Sequence, residues 1–238
     1  MPRHAAVHVD LDAVDANVRA LVALARPASL CAVVKADGYG HGAVPVARAA
    51  LAAGADHLAV ALVEEGLELR AAGLDAPVLV LSEPPPDAMA DAAAAGLTPT
   101  LYTPDGVDAA AAVGADAGWE VQLKVDTGMH RVGARPADAV ALARRLLDAG
   151  LRLGGVFTHL AVADEPERPE TALQLDRYRG VLADLEAAGI DPGLRHAANS
   201  AGLLLHPDTH FDLVRVGIAA YGVAPAPDLD LAVPLRPA

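Results

Sequence analysis

This 238-residue chain is poor in aromatics and nearly free of cysteine. Phe, Trp and Tyr make up 3% of it, so a core has to be built from Ala, Val and Leu. The single cysteine, Cys31, excludes an internal disulfide and points to a reducing compartment, the cytoplasm. No apolar run reaches the ~18 residues that a membrane span needs. The longest candidate, Val216 to Pro227, is short and broken by Gly and Pro, and no charged-then-apolar leader opens the chain. Positive charge is scarce as well: 18 Lys and Arg stand against 31 Asp and Glu, a net charge of −13. That balance argues against nucleic acid and anionic membranes as partners. What remains is 53% hydrophobic content in a chain long enough for one large domain.

Short apolar runs alternate with longer Ala-rich stretches. The runs are Leu30–Val34, Leu58–Leu62, Val78–Leu81, Thr98–Leu101, Val121–Val125, Gly155–Thr158, Leu194–Ala197 and Leu213–Val216. Between them the spacing predicts helices over Ala43–Ala53, Val63–Ala72, Pro86–Ala95, Pro104–Val113 and Ala137–Ala149. A longer helix is predicted around Leu175, Tyr178, Leu182 and Leu185. The first helix is expected to begin near Asp12 as N-cap, with Val14, Val18, Leu21, Val22 and Ala25 on one face. Gly54, Gly73, Gly96, Gly150 and Gly189 each follow a helix as a left-handed cap would. Eight strands separated by helices is the arithmetic of an α/β (β/α)₈ TIM barrel, with a doubly wound open sheet as the other alternating architecture. Two segments fall outside that pattern. His8–Leu11 reads as an extra N-terminal strand, and Ala224–Ala238 reads as a Pro-rich linker, which leaves residues 1–223 for the barrel.

Barrel catalytic groups collect at the C-terminal strand ends, and those positions are polar here. Lys35 follows strand one, directly before Ala36-Asp37-Gly38-Tyr39-Gly40-His41-Gly42. A lysine delivered from a buried strand to a Gly-rich rim suits a Schiff-base role, because desolvation makes the neutral amine accessible. The plain alternative is a strand-end lysine reaching solvent. Strand five brings Lys124 and Asp126, followed by Arg131. Strands six and seven bring His159 and His196, with Asn199 and Ser200 behind the latter. Strand eight brings Arg215, then Gly217 and Ile218.

Several of these segments resemble motifs of the alanine racemase family. They are Val33–Gly42, Lys124–Gly133, Phe157–Ala161, His196–Ala201 and Val214–Gly222, and together they span most of the chain. The resemblance implies a pyridoxal 5'-phosphate barrel followed by a mainly β domain, acting as a homodimer on a small amino acid and supplying D-alanine for the cell wall. It implies that Lys35 carries the cofactor and moves the Cα proton on one substrate face. Tyr39, Ser200 and the amides of Gly217 and Ile218 would hold the phosphate, with Asn199 nearby. Arg215 would face the pyridine nitrogen, oriented by His196, and His159 would pack against the ring. Arg131 would meet the cofactor's phenolic oxygen and the substrate carboxylate, a task suited to a planar fork of donors. Lys124 stands where some family members carry a carbamate, which would position Arg131.

Plainer readings accompany each role. Tyr39 could be a turn tyrosine, Ser200 a helix N-cap, the two histidines hydrogen-bonded core residues, and Lys124 a solvated lysine. His206 and His210 have helical metal-ligand spacing, but Pro207 interrupts them, and no metal site is expected. Asp164, Glu165 and Glu167 read as a solvated loop. The family's second base is a partner-subunit tyrosine in the β domain. A chain of this length is therefore expected to racemise poorly alone. Competing functions are a non-catalytic pyridoxal-phosphate homeostasis barrel and a related decarboxylase. Arg215 argues against the decarboxylase, which places an acid at the pyridine nitrogen.

Overall fold

The computed structural model describes residues 7–226 and 235–238. Its strands are β1 Ser29–Val33, β2 His57–Val60, β3 Val78–Val80, β4 Thr98–Leu101, β5 Glu120–Lys124, β6 Arg152–Phe157, β7 Leu194–His196 and β8 Leu213–Val216. All neighbours pair in parallel, in the order β7-β6-β5-β4-β3-β2-β1-β8. The circle is drawn nearly closed between β7 and β8. There the Asp212 amide donates to the Arg195 carbonyl at 3.0 Å, and the Arg215 amide to the Ala198 carbonyl at 3.0 Å. The Asp212 carboxylate also accepts from Arg195 Nε and Nη2 at 2.7 and 2.8 Å. This contact holds Asp212 below the usual carboxylate range.

The helices are α1 Leu11–Ala25, α2 Lys35–Gly40, α3 Ala43–Ala52, α4 Val63–Ala71, α5 Met89–Ala94, α6 Pro104–Gly114, α7 Ala139–Asp148, α8 Glu170–Ala187 and α9 Ser200–Leu205. Strand side chains alternate between two buried faces, so each strand reads as a continuous apolar run. On β1, Leu30 and Ala32 point outward against α1 and α3, while Cys31 and Val33 join Ala59, Leu79 and Leu213 inside the barrel. The same alternation on β5 sends Val121 and Leu123 outward and leaves Gln122 and Lys124 inside. Each fully buried leucine of the outer layer, such as Leu21, Leu30 or Leu58, contributes about 1.5–3 kcal/mol.

The glycines expected as left-handed caps all have positive φ: Gly54, Gly73, Gly96, Gly150 and Gly189. Other expectations need correction. His8–Leu11 is not a strand, because residues 8–10 have no regular structure and Leu11 already belongs to α1. Asp10, not Asp12, caps that helix, accepting from the Ala13 amide at 3.0 Å. Val22 lies at the edge of the buried stripe. The helices expected over 86–95 and 137–149 open with 3₁₀ turns that start at Pro86 and Pro136, as proline's fixed φ and missing amide favour.

Part of the expected linker, residues 227–234, lies outside the described residues. The following segment is docked. Asn17, buried on α1, donates to the carbonyls of Ala220 and Arg236 at 3.2 and 2.8 Å and accepts from the Arg236 amide at 2.8 Å.

Candidate functional site

Beyond β1 the chain makes one left-handed turn. Ala36, Asp37, Gly38 and Tyr39 have φ between 51° and 60°. For the three non-glycine residues that geometry costs roughly 1–2 kcal/mol each, because Cβ crowds the following carbonyl. Local contacts hold it. Asp37 Oδ1 accepts from the Ala43 amide at 2.8 Å, and the Asp37 carbonyl accepts from the Gly42 amide at 2.9 Å. Tyr221 donates its hydroxyl to the Val33 carbonyl at 3.0 Å, and its ring packs 5.1 Å from that of Tyr39. Glycine relieves crowding at position 38, where a Cβ would stand 3.2 Å from the Ala43 nitrogen. The turn brings Lys35, half-buried, to the wall of a cavity, with its Nζ 5.8 Å from the Tyr39 ring.

That cavity measures about 530 Å³ and lies at the C-terminal end of the barrel. Lys35, Tyr39, Lys124, Arg131, His159, Asn199, Ser200, Arg215, Gly217 and Ile218 all line it. His196 lies beneath it, fully buried.

Arg215 is 3% exposed and is held through both of its terminal nitrogens. Nη1 reaches His196 Nδ1 at 2.7 Å, and Nη2 donates to the carbonyls of Thr158 and Ala197 at 2.7 and 3.1 Å. Its guanidinium sits 5.0 Å from the Phe157 ring, which stacks on His196 at 4.7 Å. Burial lowers the Arg215 pKa to about 10. His196 continues the chain inward, its Nε2 lying 2.7 Å from Gln122 Oε1. The His196 amide also receives support, donating to the Tyr178 hydroxyl at 3.0 Å, while that hydroxyl donates to the Val156 carbonyl at 2.6 Å.

Four cations, Lys35, Lys124, Arg131 and Arg215, share this cavity in a chain of net charge −13. Lys124 is 5% exposed and donates to the Leu81 carbonyl at 3.3 Å. Burial first, then Arg215, Arg131 and Lys35, lower its pKa to about 8 against the opposing pull of Asp126. His159 is pushed down to about 3 by burial and then by the same cations, led by Arg215. It is therefore neutral across the physiological range.

The part of the wall around Ser200 and Gly217 presents hydrogen-bond donors. Ser200 Oγ accepts from the amides of Gly217 and Ala219 at 3.0 and 3.3 Å. Both lone pairs are then occupied, so the hydroxyl proton is left to donate outward. Tyr39 Oη lies where a Cβ on Gly217 would come within 2.6 Å of it, so only glycine leaves the hydroxyl that position.

Several plainer readings fail on the geometry. Lys124 is buried rather than solvated, and the N-cap of α9 is Asn199, not Ser200. Asn199 accepts from the Gly202 amide at 2.9 Å and donates to the Leu160 carbonyl at 3.3 Å, so its side chain is committed to the cap although it lines the cavity. Arg131 lines the cavity yet is exposed. Asp164, assigned to a solvated loop, is exposed at the cavity wall. His206 and His210 each contact a separate carbonyl, of Ala163 and Leu203. Among the described residues no cluster has the makings of a metal site. Gln122 was not singled out in the sequence, and Phe157 and Tyr178 stood there only in a motif and on a helix, with no part in holding Arg215 and His196. For Gln122 a signal existed, a polar residue at an inward position of an apolar strand.

Fold and cavity define a (β/α)₈ barrel whose strand ends bring a lysine, a hydroxyl beside a glycine and a buried guanidinium to one cavity. Comparison with known proteins places it more closely. The family described as "Alanine racemase, N-terminal domain" matches residues 9–225, and the chain belongs to that family. Alanine racemase of Symbiobacterium thermophilum is 53% identical over 234 residues, 97% of this chain and 62% of that protein. The Thermobifida fusca alanine racemase is 47% identical over 247 residues, covering 100% and 65%. Among solved structures, alanine racemase from E. faecalis superposes with a TM-score of 0.91 at 36% identity, over 97% of this chain and 63% of that one. The Bacillus anthracis alanine racemase with bound L-Ala-P gives 0.89 at 37% identity, over 98% and 64%. The chain thus spans somewhat under two thirds of the length of these relatives.

Proposed function

We propose that this chain is the cofactor-binding barrel of an alanine racemase. It holds pyridoxal 5'-phosphate on Lys35 and takes part in interconverting L- and D-alanine, in the cytoplasm and as a homodimer, supplying D-alanine for peptidoglycan. The residues present fit that cofactor: an amine for its aldehyde, an outward-donating Ser200 hydroxyl beside Gly217 for its phosphate, and a buried guanidinium for the far end of its ring. When bound, the cofactor supplies an aldehyde and a conjugated ring that draws electrons from the substrate Cα.

Lys35 is the base of this scheme, taking the Cα proton at Nζ and returning it. Arg131 binds the substrate carboxylate from the exposed side of the cavity. Arg215, a donor with no acceptor, withholds a proton from any ring nitrogen it meets, and His196 keeps it in place. The ring of His159, neutral at pH 7, serves as a wall rather than an acid. Carbamylation of Lys124 belongs to the same proposal. Its lowered pKa leaves a fraction of free amine at pH 8 to attack carbon dioxide, releasing a proton and leaving an anion among three cations.

The observation that carries this reading is Lys35 and Arg215 lining one cavity, with Arg215 tied to His196. Incubating the cofactor-loaded protein with alanine in deuterated water tests it. Deuterium should appear at Cα and vanish in Lys35→Ala. Cofactor binding without exchange would instead favour a carrier. Lys35 serves one face of the substrate, so exchange is expected to favour one enantiomer and net racemisation by this chain to be slow.

A further inference from the structure

We infer that Glu65 is a positioning residue for Lys35, holding by one carboxylate the strained turn that aims the amine. The inference rests on the cofactor reading above. Glu65 lies on the first turn of α4, whose ordinary business would be to cap its own helix. Its Oε2 does so, accepting from the amides of Ala61 and Leu62 at 2.7 and 3.1 Å. The other oxygen, Oε1, leaves the helix altogether and accepts from the Ala36 amide at 2.7 Å.

Ala36 is the first residue of the left-handed turn and the direct neighbour of Lys35. The far end of the turn has its own latch, Asp37 on the Ala43 amide. Glu65 is therefore a latch for the lysine end, carried on the first turn of α4, with Ala61 itself on the cavity wall. A charged acceptor on a backbone amide is about twice as strong as a neutral one, which suits a turn that three non-glycine residues resist.

Glu65→Gln separates the two duties. A glutamine has one acceptor and one donor group at the same size. With two amides on one side and one on the other, the favoured rotamer keeps its oxygen on Ala61 and Leu62 and turns its NH₂ toward Ala36. The α4 cap survives and the lysine latch becomes a donor–donor contact.

The test compares wild type, Glu65→Gln and Lys35→Ala of the whole chain. Amide hydrogen exchange without cofactor is read first: the Ala36 amide should exchange about tenfold faster in Glu65→Gln, with Ala61 and Leu62 little changed. Binding is then measured for pyridoxal 5'-phosphate, followed by its visible absorbance, and for the alcohol analogue pyridoxine 5'-phosphate, which has no aldehyde for Lys35. Glu65→Gln should weaken the aldehyde about tenfold and the alcohol less than about threefold. Equal losses for both ligands, or an Ala36 amide unchanged by the substitution, would overturn the assignment.

If wild type and Lys35→Ala bind the aldehyde alike, the cofactor reading fails and takes this inference with it. If only Glu65→Gln behaves as wild type, the inference alone fails. Should the variant not fold, the wild-type exchange map decides: an Ala36 amide as protected as Ala61 supports the latch, and one exchanging like free chain refutes it.

Discussion

Arg215 Nη1 lies 2.7 Å from His196 Nδ1, and the chemistry of the pair fixes a proton. A guanidinium has only donors, so Nδ1 must accept and the single ring hydrogen must sit on Nε2. There it donates to Gln122 Oε1 at 2.7 Å. The buried guanidinium is thus held by a neutral histidine, itself held by an uncharged amide.

Gln122→Leu should break this chain from its inner end. The Nε2 hydrogen would lose its acceptor in a fully buried place, which costs about 1–3 kcal/mol. Urea denaturation should show that loss, and Gln122→Glu should recover part of it by restoring an acceptor. A leucine variant as stable as wild type would mean that Nε2 finds another partner.

Acid should destabilise the protein well before its carboxylates titrate. His196 and His159 are both pushed below the usual histidine pKa of 6.5, His159 to about 3, chiefly by burial. Below pH 6.5 the unfolded chain takes up protons that the folded one refuses, so stability falls as pH drops from there toward 3. Between pH 7 and 5 each histidine should remove about 1–2 kcal/mol. Denaturation at the two pH values measures the total, and His159→Gln should reduce the difference by that histidine's share.

Lys124 carries a slope of the same sign in a higher pH window. Its pKa is lowered from 10.5 to about 8 by burial and by Arg215, Arg131 and Lys35. Below pH 8 the folded state bears a buried charge, and the penalty is relieved as pH rises from 8 to 10.5. In buffer free of carbon dioxide, Lys124→Met should therefore be more stable than wild type at pH 7, by as much as about 3 kcal/mol. The gap should close by about pH 10.5. Added bicarbonate at pH 8 should raise the melting temperature of wild type and leave Lys124→Met unchanged if a carbamate forms.

The barrel was legible in the sequence because parallel strands buried on both faces read as short apolar runs and their helices end in glycine. All eight runs, from Leu30–Val34 to Leu213–Val216, fall on observed strands. The polar strand ends were legible for the same reason: Lys35, Lys124, His196 and Arg215 interrupt apolar runs where a barrel puts its mouth. What escaped was set by tertiary contact. The left-handed turn over Ala36–Tyr39 runs through three non-glycine residues, which local propensity forbids, and its latches come from Asp37, Glu65 and Tyr221. His8–Leu11 has strand-like composition but pairs with no strand among the described residues, and α1 claims Leu11 instead.

Gly217 and Tyr39 should behave as one unit. In Gly217→Ala the new Cβ would stand 2.6 Å from Tyr39 Oη, displacing the hydroxyl without disturbing the core. Tyr39→Phe removes the same hydroxyl. Each should weaken binding of pyridoxine 5'-phosphate by a similar amount, about tenfold, and the double variant should be little worse than either, since one lost contact cannot be lost twice. Additive losses in a binding titration would separate the two residues.

The chain contains two lysines, Lys35 and Lys124, both on the cavity wall. Loading the protein with pyridoxal 5'-phosphate, reducing with borohydride and mapping the peptides shows directly which amine holds the aldehyde. A pyridoxyl group on Lys35 alone, absent in Lys35→Ala, is the result expected. A label on Lys124, or none on either lysine, would contradict it.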